Sequence, residues 1–503
     1  MFTDEVLDSV GIESQWRKSQ QLTRESRGCQ TRALHSTDAE VQTVSTAVSS
    51  TQTEPQDHVT EQLLQHEEPE PPGLRDFLRQ VEDRVIKELV KNARSHAFDG
   101  YQVNWEDQSQ LVSCRHRLQH PSAQERSLHV TSVSWSCTGS VIACAYGRID
   151  EGDWGTEKSH VCTWNLDRRG LNPKQPDLVI DVPTTVTALS FHPNQPSLIA
   201  GGLYTGEVVV WDTSHTQDPV MAQTGMSADS HREPVYQVDW VPLQKRGEFG
   251  VLSASSGGRV LLWTLDPDQG GFVLSAGYAL VRQQVPHSSR SNYKARGSSH
   301  VGVTALALSP WDSDIFLVGS EGGLLLKCSF SSQTLAAAPS EGQSVTLRAP
   351  AVFSFRPRNS PIHSIHCSPF HRNLFLSVGT DGLAHLHSLL QTNPLLSVRV
   401  SDSYVFDVRW SPTRPLVFAA ATGQGVVQIF DLGRRSLRPA ATIDQGGANQ
   451  AATCLAFNSQ NPHLLAVGKT DGTVNIWHLS ADLTEQSPRE TVQLELMARE
   501  VAE

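Results

Sequence analysis

The chain has 503 residues, a net charge of −12 at neutral pH and a hydrophobic fraction of 38%, below the roughly 45–50% usual for a globular domain with Gly counted. The acidic balance and the lack of a dense Lys/Arg stripe exclude nucleic acid as the main partner. No stretch approaches the roughly 20 apolar residues of a membrane span, so membrane insertion is not expected.

The N-terminus, MFTDEVLDSVGIESQW, carries acids where a secretory leader needs a basic flank and an apolar run, so the expected compartment is the cytoplasm. Most of the eight cysteines stand singly in apolar runs (Cys137, Cys144, Cys162, Cys328, Cys367, Cys454), with no CxxC pair. That pattern reads as small reduced core residues, not disulfides or zinc ligands.

Residues 1–72 hold only two aromatics, Phe2 and Trp16, and end in HEEPEPP. Such a segment buries too little apolar area to offset chain entropy and is expected to be a disordered arm when free. A Gln-Thr pair recurs within it, in Cys29-Gln30-Thr31, Val41-Gln42-Thr43 and Thr51-Gln52-Thr53. An extended chain of this kind can be captured by adding itself as a strand to an exposed sheet edge. Val41, Thr43 and Ser45 would then point one way, Gln42 and Val44 the other.

Residues 73–97 predict an amphipathic helix, with Leu74, Phe77, Leu78, Val81, Val85 and Leu89 on one face and Arg79, Glu82, Asp83 and Lys87 opposite. Pro71-Pro72 ahead is a start signal. The apolar stripe needs a cover, either the folded domain of the same chain or a separate partner. Its place between a disordered arm and a folded domain favours the partner.

Residues 98–126 form a lead-in. From 127 to 480 one unit repeats: an apolar strand and a polar turn, a strand of small residues, a Gly turn, and a third strand. The third strands close on Trp164, Trp211, Trp263, Cys328, His387, Phe430 and Trp477, spaced 43 to 65 residues apart. Seven in-phase copies resemble the WD40 repeats, though only Trp211-Asp212 is a literal Trp-Asp. The expected fold is all-β, a seven-bladed propeller, because a lone four-stranded blade cannot bury both its faces. Outer strands are expected at 177–182, 271–280 and 395–400. The last blade can be closed by residues 111–118 or by 490–496, and closure between the two chain ends favours the former. Residues 481–503 read as a C-terminal tail.

The sequence has no GxxxxGK[ST], no GxGxxG after a strand, no HExxH and no GxSxG. The run HSIHCSPFHRN (363–373) gathers His and Cys, but strand alternation puts His366 and Cys367 on opposite faces, which argues against a zinc site. No catalytic residue, cofactor or metal is therefore assigned, and no enzyme activity is expected.

The whole arrangement resembles the dynein intermediate chains, and within them those of cytoplasmic dynein 2. HAFDGYQVNWED (96–107), CTGSVIACAYGRIDEGDW (137–154), NLDRRGL (165–171) and SPFHRNLFLSVGTDG (368–382) carry the likeness. The resemblance implies a non-catalytic subunit of the motor of retrograde intraflagellar transport, on the cytoskeleton and in cilia, with a role in cilium assembly. It implies that the propeller holds the tail of the dynein 2 heavy chain beside a second WD-repeat intermediate chain. The arm would carry eight-kilodalton and Tctex-type light chains, and the helix the Roadblock type. The eight-kilodalton light chain is a dimer whose motif centres on Thr-Gln-Thr, which Thr51-Gln52-Thr53 matches in full. Cys29-Gln30-Thr31 and Val41-Gln42-Thr43 lack the leading Thr. The rival readings are a generic WD40 scaffold or peptide-binding adaptor, and an enzyme built in a propeller channel.

Overall fold

The computed structural model describes residues 73–93, 111–148, 158–243, 247–266, 271–286, 300–337, 343–434, 438–446 and 450–499. The chain falls into two compact units, 1–102 and 103–503. The described part of the first is one helix, α1 (Leu74–Ala93), about 30 Å long at 1.5 Å per residue. The positions expected to extend it, 94–97, lie outside the described residues.

The second unit is a seven-bladed propeller, with each blade a four-stranded antiparallel sheet. The inner strands are His129–Trp135, Val186–Phe191, Val235–Pro242, Val303–Leu308, Ile362–Cys367, Val405–Trp410 and Ala452–Phe457. The second strand of a blade is packed on both faces, and its sequence shows it. Leu198–Leu203, Leu374–Gly379, Val417–Thr422 and Leu464–Lys469 are buried at every position and read as apolar or small runs, broken only by the terminal Lys469. Glycine enters where neighbouring blades come closest. A Cβ on Gly319 would lie 2.6 Å from Ile362 of the next blade, and one on Gly468 would lie 2.6 Å from Val130. The outer strands alternate instead, as in Leu178–Val182 and Ala441–Asp444, because one of their faces meets water.

The ring closes by pairing across the chain ends. Val112–Gln119 runs antiparallel to the third strand of blade 7, from Val112 opposite Leu479 to Gln119 opposite Thr473. The other candidate for this place, 490–496, is no strand. It lies within α4 (Glu490–Arg499), which follows α2 (Pro121–Glu125) and α3 (Ala481–Thr484) in the chain. Within the stretch expected as a tail, residues 481–499 hold α3 and α4, which pack on the propeller through Leu483 and Leu494. The alternation of Val492, Leu494 and Leu496 suggests a strand, but Glu490 and Leu494, four apart, are the buried residues, while Val492 and Leu496 face out.

Glu490 explains the choice. Arg414, in the loop between the first two strands of blade 6, donates through Nε to Glu490 Oε1 at 2.9 Å and through Nη2 to Asp431 at 3.0 Å. Its Nη1 donates to the Asp482 carbonyl at 2.7 Å. All three charged side chains are at least nine-tenths buried. Breaking such a network leaves uncompensated buried charge. Arg414→Ala is expected to cost about 3 kcal/mol and to lower the thermal midpoint. Limited proteolysis should cut the variant after residue 480, and an uncut C-terminus would show that α4 is held by its apolar contacts alone.

Candidate functional site

The helix α1 places Leu74, Phe77, Leu78, Val85 and Leu89 in solvent, with Phe77 58% and Leu89 61% exposed, and leaves Val81 half-buried. Ile86 and Val90 are exposed too and widen the stripe beyond what its spacing suggests. The Lys91–Glu88 pair at 3.4 Å is largely exposed and contributes little. An isolated 20-residue helix with such a face is marginal in water and gains stability when the stripe is covered. The Gln-Thr residues of the arm, Cys29, Gln30, Thr31, Val41, Gln42, Thr43, Thr51, Gln52 and Thr53, all lie outside the described residues.

The propeller carries its polar chemistry in two places. The first is between strands within blades. In blade 3 the Trp263 indole donates to Ser253 Oγ at 2.9 Å, which also bonds His231 Nε2 at 2.8 Å. This chain ties the third strand to the second and to the loop entering the blade. Blade 5 holds the same positions with other residues. His387 meets Ser377 at 3.0 Å, and Arg358 donates to Ser377 Oγ at 3.0 Å and to Asp381 through Nε at 3.2 Å. His387 is thus a structural residue where other blades use Trp. His385, two residues earlier on the strand, is bonded separately to Ser397 at 2.7 Å.

The second place is the central channel, a cavity of about 1450 Å³ lined by all seven inner strands. Asp407 sits in its wall and joins three blades. Its Oδ1 accepts from Ser364 Oγ of blade 5 at 2.7 Å, and its Oδ2 accepts from the Leu455 N–H of blade 7 at 2.8 Å. Both oxygens are committed, so this carboxylate is a staple and not a base free for catalysis. Asp239 lines the same channel. Burial raises its pKa and the Arg409 guanidinium opposes that rise. His366 accepts the Trp410 N–H on Nδ1 at 2.9 Å, and burial holds its pKa down to about 3. The His/Cys run at 363–373 is divided by this geometry: Ile365 and Cys367 pack into the core, His366 bonds Trp410, and His371 accepts from the Asn373 N–H at 3.2 Å. Among the described residues no three His, Cys, Asp or Glu are placed to share a metal, and no helix is long and apolar enough to cross a membrane.

With the blades and their internal links established, the comparisons assign them. The family model of the dynein axonemal intermediate chain 3 WD40 domain matches residues 156–246 and 289–479. Cytoplasmic dynein 2 intermediate chain 2 of Mus musculus is 50% identical over 499 residues, covering 99% of this chain and 92% of its own length. The chain belongs to the dynein intermediate chain family. The human cytoplasmic dynein 2 intermediate chain 2 is likewise 50% identical over 500 residues. Dynein axonemal intermediate chain 4 of Homo sapiens is 26% identical over 366 residues, 70% of this chain and 40% of its own length. Among dynein intermediate chains, this one therefore stands with the cytoplasmic dynein 2 type. The likeness to that type spans 99% of the chain, whereas the axonemal relative aligns with 70% of it.

Two histidines, His231 in the interior and His366 half-buried in the channel wall, set an acid limit for this intermediate chain. His231 and His366 each have a folded pKa of about 3 because burial disfavours the cation, against roughly 6.5 unfolded. The unfolded chain binds the extra proton, so their contribution is full above pH 6.5 and is lost as pH falls toward 3. Each is expected to remove about 2 kcal/mol between pH 6.5 and pH 5. Urea unfolding at the two pH values checks this, and His366→Asn should make the pH dependence shallower.

Proposed function

We propose that this chain is a non-catalytic intermediate chain of the cytoplasmic dynein 2 motor, acting on the cytoskeleton and in cilia in retrograde intraflagellar transport and cilium assembly. The observation that carries the reading is 50% identity, along 99% of the chain, to proteins named cytoplasmic dynein 2 intermediate chain 2. In this reading the propeller binds the tail of the heavy chain, beside a second WD-repeat intermediate chain. A rigid ring suits the task, since its blades hold a wide surface in fixed register without a catalytic centre.

The arm and α1 serve the light chains. The stripe Leu74, Phe77, Leu78, Val81, Val85 and Leu89, exposed except for the half-buried Val81, is the surface for a Roadblock-type light chain, docking as a helix in a groove. The segments at 29–31, 41–43 and 51–53 add strands to dimeric eight-kilodalton light chains, and Tctex-type light chains bind the same arm. Each short peptide binds weakly because it loses freedom on ordering. Two arms gripped by one dimer present their next segments to each other at high effective concentration, so each clamp favours the next. The arm then works as a dimerisation device.

Co-purification with the full-length chain tests this. Changing Gln30, Gln42 and Gln52 together to Ala should remove the eight-kilodalton light chain and leave the heavy chain bound. Phe77→Asp with Leu89→Asp should remove the Roadblock-type light chain alone. Retention of both light chains in these variants would overturn the assignment of the two segments.

A further inference from the structure

Each inner strand begins with a bulge at the same register, where one residue is left without a partner on the second strand. In four blades that residue is threonine, and its hydroxyl links its blade to the next. Thr131 donates to the Val186 carbonyl at 2.5 Å, Thr304 to Ile362 at 2.6 Å and Thr453 to Val130 at 2.6 Å, and Thr187 donates to Val235. Blades 3, 5 and 6 break the rule with Tyr236, His363 and Phe406. Each puts a ring where the threonine hydroxyl bonds the next blade in the other four. Beside His363 and Phe406 the link is made one residue later, by Ser364 and Asp407. All three rings stay half-buried and line one channel.

The surroundings of these rings divide by chemistry. Tyr204 is on the turn after the second strand of blade 2, Glu233 on the loop into blade 3, and Glu321 on the matching turn of blade 4, and all three line the channel with Tyr236. Burial first, then Tyr204, Glu321 and Glu233, push the Tyr236 phenol pKa up, so the four groups share one field. Gly206 fixes the approach of that turn: at φ 92° its missing Cβ would lie 2.4 Å from the His231 carbonyl and 3.1 Å from that of Glu233. On the other side His363 and Phe406 meet at 5.5 Å between ring centroids, with Tyr404 6.2 Å beyond Phe406. The channel lining holds four carboxylates, Glu233, Asp239, Glu321 and Asp407, against two guanidiniums, Arg232 and Arg409.

We propose that this end of the channel is a recognition site for a Lys or Arg side chain carried on an extended segment of a partner protein, with an apolar residue beside it. The π faces of Tyr236 and Tyr204 attract the cation, and Glu233 and Glu321 supply the opposite charge. The His363–Phe406 side takes the apolar neighbour. This use explains why blade 3 gives up the threonine and why blades 5 and 6 move their link to the next residue. The inference concerns the propeller alone and goes beyond the motor role proposed above.

The test uses the full-length chain and two dye-labelled heptapeptides, Gly-Leu-Gly-Arg-Gly-Leu-Gly and its Glu twin, followed by fluorescence anisotropy. The Arg peptide is expected to bind and the Glu peptide not to. Y236T restores the threonine of the other blades and should keep the thermal midpoint, while weakening the Arg peptide on the order of tenfold. E321Q, on a surface turn, should do the same, so the proposal remains testable if Y236T folds poorly. D218N, which removes an exposed carboxylate outside the channel, should change nothing. Absence of Arg-peptide binding, equal binding of the Glu peptide, or a loss no larger in Y236T and E321Q than in D218N would overturn the proposal.

Discussion

The need to bury both faces of every blade governs this molecule. A four-stranded sheet with two apolar faces is unstable alone, and stacking blades in a row would still leave two faces bare. A ring removes the problem, provided that it shuts. Here it shuts through the pairing of Val112–Gln119 with Thr473–Leu479, a contact between strands more than 350 residues apart in sequence. Loss of that pairing exposes blade 7, and with it the core cluster shared by Val130, Cys144, Trp164, Cys454 and Ile476.

Polar links reinforce the apolar packing at the narrow inner edge, where little side-chain volume is available. The threonine hydroxyls at the bulges and the Asp407 carboxylate do this by bonding main-chain groups of the next blade. Such bonds contribute about 1 kcal/mol each, but they satisfy groups that the tight curvature would otherwise strand. Residues that leave this scheme are informative for that reason, because repetition makes each exception conspicuous.

Much of this was readable in the sequence, for physical reasons. The third-strand positions Trp164, Trp211, Trp263 and Phe430 are large and buried, so they recur at a fixed phase. The second strands show as small apolar runs because both their faces are covered. The outer strands Val220–Gln223, Ala351–Ser354 and Ala441–Asp444 were not read from the sequence, whereas Leu396–Arg399, equally short, was, because LLSVRV is a largely apolar run. Residues 490–496 offered a rival to the favoured 111–118 because Val492, Leu494 and Leu496 alternate, while the contact that places them in a helix is the ion pair of Glu490 with Arg414, distant in sequence. The aromatic bulges Tyr236, His363 and Phe406 were available from aligning the repeats against Thr131, Thr187, Thr304 and Thr453. They pass unnoticed because a single aromatic in a strand reads as core.

The closing strand also has a mechanical meaning. A pull on the N-terminal arm enters the propeller at Val112, on the strand that seals the ring. Tension drawn along that strand loads its seven residue pairings together, in shear. Tension drawn across it would open them one after another, as a zip. The same ring therefore has a strong and a weak loading direction. A subunit that transmits force has reason to anchor its arm so that tension runs along Val112–Gln119.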